Sequence, residues 1–187
     1  MNTTILKVKD IDYDKSKWLY EQTKDKKYRY VLGTVGNNPL ICFGINPSTA
    51  SPNNLDPTLK NVESFSVSNG YDSFIMFNIY PQRATNPNDM DKTINQKEMQ
   101  LNLNKIEEVL SKGNLDIWVA WGTLITKRPY LKQCLKDIVL IANKYNCKFY
   151  SIGAISKQGH PHHPLYLKKD LKLEKFDMDN YLILSPF

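Results

Sequence analysis

The sequence predicts an α/β domain: a three-layer α/β/α sandwich around a short, mainly parallel, four-stranded central sheet. Three observations carry this. Four apolar, β-prone runs each stop abruptly in a polar loop: Pro39–Phe43 before Gly44-Ile45-Asn46-Pro47, Ser73–Phe77 before Asn78, Ile117–Trp121 before Gly122, and Lys148–Ile152 before Gly153. Stretches with a helical apolar stripe separate the runs. The length of 187 residues suits one domain with a sizeable core, so residues 1–187 read as a single unit whose core occupies about 28–168. Parallel strands would send all four loops to one edge, beyond their carboxyl ends, where such sheets bind ligands.

The first informative stretch, Asp14–Gln22, reads as a short amphipathic helix that lays Trp18 and Leu19 over a sheet edge. Tyr28–Leu32 and Pro39–Phe43 flank Gly36-Asn37-Asn38, the chemistry of a hairpin turn. Pro47 has no N–H and pushes Asn46 out of the α region, so the second arm ends there and presents Asn46. Gly44 allows close backbone approach where a side chain would crowd a ligand. Asp56 before Pro57 has the form of an N-cap, with a helix running through Leu59, Val62 and Phe65 to Gly70. Its nearness to Asn46 makes a site role equally weighted.

After Asn78 the polar segment Gln82–Thr93 has few apolar anchors, as functional or mobile loops do. A helix is expected from Asn95-Gln96-Lys97 to Lys112-Gly113-Asn114, with Met99, Leu103, Ile106 and Leu110 on its stripe. Another opens at Pro129 with Leu131, Leu135, Ile138, Val139, Ala142 and Tyr145 inward. The tail, 168–187, reads as a helix or an edge strand packed back on the domain.

Hydrophobic residues make up 41% and charged residues 24%, a globular balance. The net charge of +6 fits a polyanionic partner, although a Lys-rich, AT-biased genome produces the same excess. Cys42, Cys134 and Cys147 form no CxxC and read as buried fillers of a reduced protein. No run reaches membrane-spanning length, and Met1-Asn2-Thr3-Thr4 lacks a signal-peptide pattern, so the expected location is cytoplasmic, with no membrane partner.

The chain carries no GxSxG, Walker loop or GxGxxG, which argues against serine hydrolases and the common nucleotide-cofactor enzymes. His160, His162 and His163 are interrupted by Pro161 and Pro164 and are too close in sequence to converge on one tetrahedral ion; neither metal nor cofactor is expected. A histidine held by prolines suits hydrogen bonding to an anion that develops in a reaction. Asn46 and Asn78 stand at neighbouring strand ends. A side-chain amide pairs a donor with an acceptor, as reading a nucleobase edge requires, although asparagine is also common in turns.

With its loops assembled the chain resembles the uracil-DNA glycosylase superfamily. Gly44-Ile45-Asn46-Pro47 is similar to the water-positioning motif of mismatch-specific uracil/thymine glycosylases, and Phe77-Asn78 to the strand end that reads uracil. Trp121-Gly122 matches a strand end before a helix, and His163-Pro164-Leu165 with His160-Pro161 resembles the late His-Pro-Ser-Pro-Leu loop. Asn46–Ala50, Asp56-Pro57-Thr58, Arg83-Ala84-Thr85 and His163–Tyr166 also resemble an uncharacterised bacterial and phage domain family covering most of 28–168.

The resemblance implies a glycosylase-like fold in which Asn46 positions the attacking water, Asn78 binds the uracil edge and a histidine stabilises the departing base. His163 is preferred over His160, and Leu165 is the wedge filling the gap of a flipped base. Asp56 joins the catalytic candidates. Gly44, Ile45, Pro47, Ser48, Tyr80, Arg83 and Gly122 complete the expected substrate-binding set. Two departures stand out: strict uracil enzymes carry an aspartate where this chain has Asn46, and a methyl-excluding tyrosine where it has Ser48.

The function implied is hydrolysis of the N-glycosidic bond of uracil, or a related damaged base, in single- or double-stranded DNA, by a monomer that flips the base out of the stack. Lys127, Arg128, Lys157, Lys168 and Lys169 are candidates for phosphate contacts. The alternatives are a nucleic-acid-binding module without chemistry on the same fold, and an N-glycosidase of free nucleosides or nucleotides.

Overall fold

The computed structural model describes residues 12–184; Met1–Thr4 and the last three residues of the tail, on which expectations were placed, lie outside them. Seven strands form one mixed sheet in the order β1-β2-β4-β3-β5-β6-β7. In chain order they are β1 (Trp18–Gln22), β2 (Arg29–Thr34), β3 (Pro39–Gly44), β4 (Ser73–Asn78), β5 (Asp116–Val119), β6 (Lys148–Ile152) and β7 (Leu173–Lys175). The four predicted runs are the parallel block β4-β3-β5-β6, and β1, β2 and β7 extend it antiparallel at both sides. The sheet is therefore larger than the four strands expected. Residues 14–22 are a turn and the edge strand β1, because pairing with β2 satisfies a segment too short for a self-supporting helix.

The expected hairpin of β2 and β3 does not form. β4 lies between them, antiparallel to β2 and parallel to β3. The connecting turn is tied instead to the start of β4, whose neighbour Asp72 accepts the N–H groups of Asn37 and Asn38, each at 2.9 Å. All six residues of β3 are buried, and such a strand needs partners on both edges, which a hairpin alone cannot supply.

Period-two alternation divides the strands' side chains between two cores. Ile41, Phe43, Ile75 and Phe77 face α2 (Gln96–Leu110) and α3 (Tyr130–Lys144), with Met178 and Tyr181 of α4 (Met178–Leu184) at the margin. Leu40, Cys42, Phe74, Met76 and Trp118 face Leu59, Val62 and Phe65 of α1 (Pro57–Ser68). Each such fully buried side chain contributes roughly 1.5–3 kcal/mol of transfer free energy. The tail forms both structures expected of it, β7 and then α4.

From β3 the chain passes through α1 to β4 on one side, then through α2 to β5 on the other. Strand order thus reverses at β3, and a crevice opens beyond its carboxyl end. No helix among the described residues is long and apolar enough to cross a membrane.

Candidate functional site

A cavity of about 80 Å³ sits in that crevice, lined among others by Arg29, Gly44, Asn46, Ser48, Asp56, Asn78 and His163. This is well below the roughly 300 Å³ at which clefts for drug-sized ligands begin, and suits one small ring.

Asn78 ends β4 in register with Gly44 at the end of β3. Its side chain is 1% exposed, and neither Nδ2 nor Oδ1 has a hydrogen-bond partner. An orphaned buried polar group costs roughly 1–3 kcal/mol, so a buried amide with both ends unused calls for an explanation. The main chain here is fixed from α2, where Asn102 Nδ2 donates to the Asn78 carbonyl at 3.0 Å. A Cβ on Gly44 would meet Met76 Cε at 2.7 Å and Asn78 Oδ1 at 3.2 Å, so the glycine leaves the amide its room.

Asn46 is half-buried, and its amide nitrogen donates to the carbonyls of Ala84 (2.8 Å), Pro47 (3.2 Å) and Gln82 (3.4 Å). These bonds clamp the 82–84 segment to the end of β3, and none of them uses Oδ1. Asp56 fulfils the capping role, accepting from Leu59 N–H at 2.8 Å, while its second oxygen accepts a very short bond from Ser48 Oγ. It is also the one carboxylate lining the cavity.

The two candidate histidines part company. His163 lines the cavity, and its Nδ1 accepts from Leu165 N–H at 3.3 Å, which leaves the neutral ring's proton on Nε2. Burial pushes its pKa below the ordinary histidine value, opposed by the Asp56 carboxylate. His160 is 1% exposed and away from the cavity: its Nδ1 meets Tyr181 Oη at 2.9 Å, tying the loop to α4, and Tyr181 Oη also accepts from Trp121 Nε1.

Other expected site residues take supporting places. Tyr80 is fully buried on the α2 and α3 side, donating to Asp91 Oδ2 at 3.0 Å and accepting from Asn95 N–H at 2.9 Å; a position just past a strand end did not determine its side chain's direction. Arg83 is spent on Ser48 O, Tyr20 Oη and Gln22 Oε1. Ile45 lines the cavity, whereas Pro47 holds Ala84 N–H through its carbonyl at 3.0 Å. Gly122 and Leu165 line an adjoining groove of about 370 Å³ that shares Leu124 and His163 with the cavity. Arg128 holds the main chain of residues 88–91 and is not a free cation, while Lys127, Lys157, Lys168 and Lys169 are exposed. The Gln82–Thr93 segment is accordingly anchored, by Arg128, by Asn46 and by Gln82 itself, whose Oε1 accepts from Asp91 N–H.

Three residues were missed. Arg29 reads as an ordinary strand charge among tyrosines, yet it is 1% exposed in the cavity wall. Asn102 falls three residues after Met99 on the apolar stripe, a signal that a polar side chain faces the core. Tyr166, 83% exposed in the groove lining, had as its one signal its place in the His163–Tyr166 stretch. A larger cavity of about 400 Å³ between β7, α4 and the loop 153–159 contains none of the expected residues and no orphaned polar side-chain atom.

One family model matches the chain over residues 29–165: DUF1643, described as a protein of unknown function. The chain belongs to this family. The matched span runs from the buried Arg29 through Leu165 of the groove, so it contains every cavity-lining residue named above. No curated protein and no solved structure matches.

Proposed function

We propose that this chain hydrolyses the N-glycosidic bond of uracil, or of a related damaged base, in DNA. The observation that carries the reading is the Asn78 amide, fully buried, with donor and acceptor both unused, in a cavity sized for one ring. A uracil edge offers a carbonyl beside an N–H, the complement of that amide. His163, neutral and with its proton on Nε2, donates to the oxygen on which charge collects as the base departs. The electron pair of the bond from the sugar to the base leaves with the base. Water supplies the oxygen that bonds the sugar carbon, and the proton it sheds ends on the released ring. Asn46 Oδ1 holds that water. Asp56, bonded to Ser48, supplies the negative charge that faces the cationic sugar, in place of the aspartate that strict uracil enzymes carry at position 46.

DNA lies along the groove beside the cavity, where Leu165 fills the gap left by the base and the exposed Tyr166 stacks on a neighbour. Lys127, Lys157, Lys168 and Lys169 hold phosphates. The protein acts as a monomer in the cytoplasm, without metal or cofactor.

The test uses end-labelled single- and double-stranded oligonucleotides with one uracil opposite guanine or adenine, treated with alkali to cut abasic sites. Cleavage is expected that falls about a hundredfold or more in Asn78→Ala and His163→Ala but persists in His160→Gln. The bonding of the Asn46 amide nitrogen to three carbonyls favours a second reading, a module that binds nucleic acid without chemistry. Salt-dependent DNA binding with no abasic product at any enzyme concentration would establish that one.

A further inference from the structure

The cavity wall holds a buried charge that forms no ion pair. Arg29 is 1% exposed, its Nη1 donates to the Ala50 carbonyl at 2.9 Å, and its Nε has no partner. Arg83 reaches the same carbonyl at 3.4 Å, and its Nε is likewise buried and unpartnered. Among the described residues no carboxylate lies within ion-pair distance of either guanidinium. The one carboxylate in the cavity, Asp56, is engaged by Leu59 N–H and Ser48 Oγ. The lining holds one guanidinium and one carboxylate, and Arg83, outside the lining but on the same Ala50 carbonyl as Arg29, adds a second guanidinium; with His163 neutral, positive charge is in excess around Arg29. Burial brings the Arg29 pKa down to about 9, with repulsion from Arg83 adding to the fall and Tyr20 and the Asp56 carboxylate opposing it, and at neutral pH the side chain remains a cation. A buried charge without an ion pair is among the most expensive features a fold can carry. A ligand of opposite charge offsets that cost.

We infer that Arg29 makes this cavity a site for a heterocycle bound as an anion, and that it shares with His163 the charge of the departing base. This rests on the glycosylase reading, and it assigns to a strand residue the electrostatic work otherwise left to one loop histidine. A buried, fixed cation stabilises an anion far more than solvent does and needs no reorganisation as charge develops.

The test is equilibrium binding of two free rings to the full chain at neutral pH by calorimetry. Barbiturate is a pyrimidine ring that is already an anion there; uracil is one oxygen smaller and neutral. Wild type is expected to bind barbiturate at least tenfold more tightly than uracil. Arg29→Gln should abolish that preference while uracil affinity stays within about threefold, and Arg29→Lys should keep part of it. Unfolding curves of both variants report whether they fold; if Arg29→Gln does not, the wild-type ratio and Arg29→Lys decide. Equal binding of the two rings by wild type, or an unchanged preference in a folded Arg29→Gln, would overturn the inference. Anion preference without base release from DNA would leave the inference standing and sink the glycosylase reading; base release without the preference would do the reverse.

Discussion

The two ends of β3 and β4 treat polar groups in opposite ways. At the amino end Asp72 accepts from Asn37 N–H, Asn38 N–H and Ser73 Oγ, and the buried Ser66 hydroxyl donates to the Val62 carbonyl at 2.8 Å. At the carboxyl end Asn78, Arg29, Arg83 and Asn102 all keep buried nitrogen or oxygen atoms without partners; Trp118 Nε1, within β5, is the one such atom elsewhere among the described residues. The segments gathered at one end of these strands are satisfied and those gathered at the other are not. Unpaired buried polarity costs stability, and Asn78 and Arg29 bring it to the cavity wall, where a ligand would recover the cost.

The largest expected effect is at Asn78. Asn78→Ala should slow base release roughly 100- to 1,000-fold, about 3–4 kcal/mol of barrier. Because the side chain makes no bond within the protein and its unpaired amide costs stability, the unfolding midpoint should not fall. A large fall in stability with unchanged turnover would erase the distinction between the two ends.

Arg29→Met should cut both ways, raising stability by about 1–4 kcal/mol in denaturant unfolding while lowering base release. Gly44→Ala adds a methyl group against Met76 Cε and Asn78 Oδ1, at a cost of about 1–3 kcal/mol, and should raise KM by displacing the amide.

Asp72→Ala is the mirror image of Asn78→Ala: a lower unfolding midpoint with base release intact. Hydrogen bonds from Ser73 Oγ and from the Asn38 and Asn37 N–H groups hold the Asp72 carboxyl below its ordinary value of 3.8. Its support is therefore complete above that ordinary value and lost as pH falls through the lower folded one. Wild type should lose stability across that acid window more steeply than Asp72→Ala. The smallest effect is expected at Lys157 and Lys168, both exposed. Alanine at either should leave stability unchanged and reduce the salt slope of DNA binding by about one.

Much of the site was legible because its signals are local. Pro47 ends a strand and so presents Asn46, Gly44 sits where a methyl group would strike Asn78, and Asp56 before Pro57 is both cap and cavity wall. His160 and His163 have similar proline-flanked surroundings. Only the packing of Tyr181 in α4 against His160 separates them, leaving His163 in the cavity.

The sequence by itself determined the strands of the parallel block, helices α1 to α3 with their inward stripes, and the gathering of Asn46, Asp56, Asn78 and the proline-flanked histidine loop at one edge. These follow from apolar periodicity and from residues that end strands or cap helices, which act within a few positions of the chain. Tertiary structure alone decided that β4 would separate β2 from β3, that Tyr80 would turn into the core, and that Arg29 would be buried as a cation at the cavity. Strand pairing and burial depend on what comes from elsewhere in the chain to lie alongside a segment. Neither is a property of the segment itself.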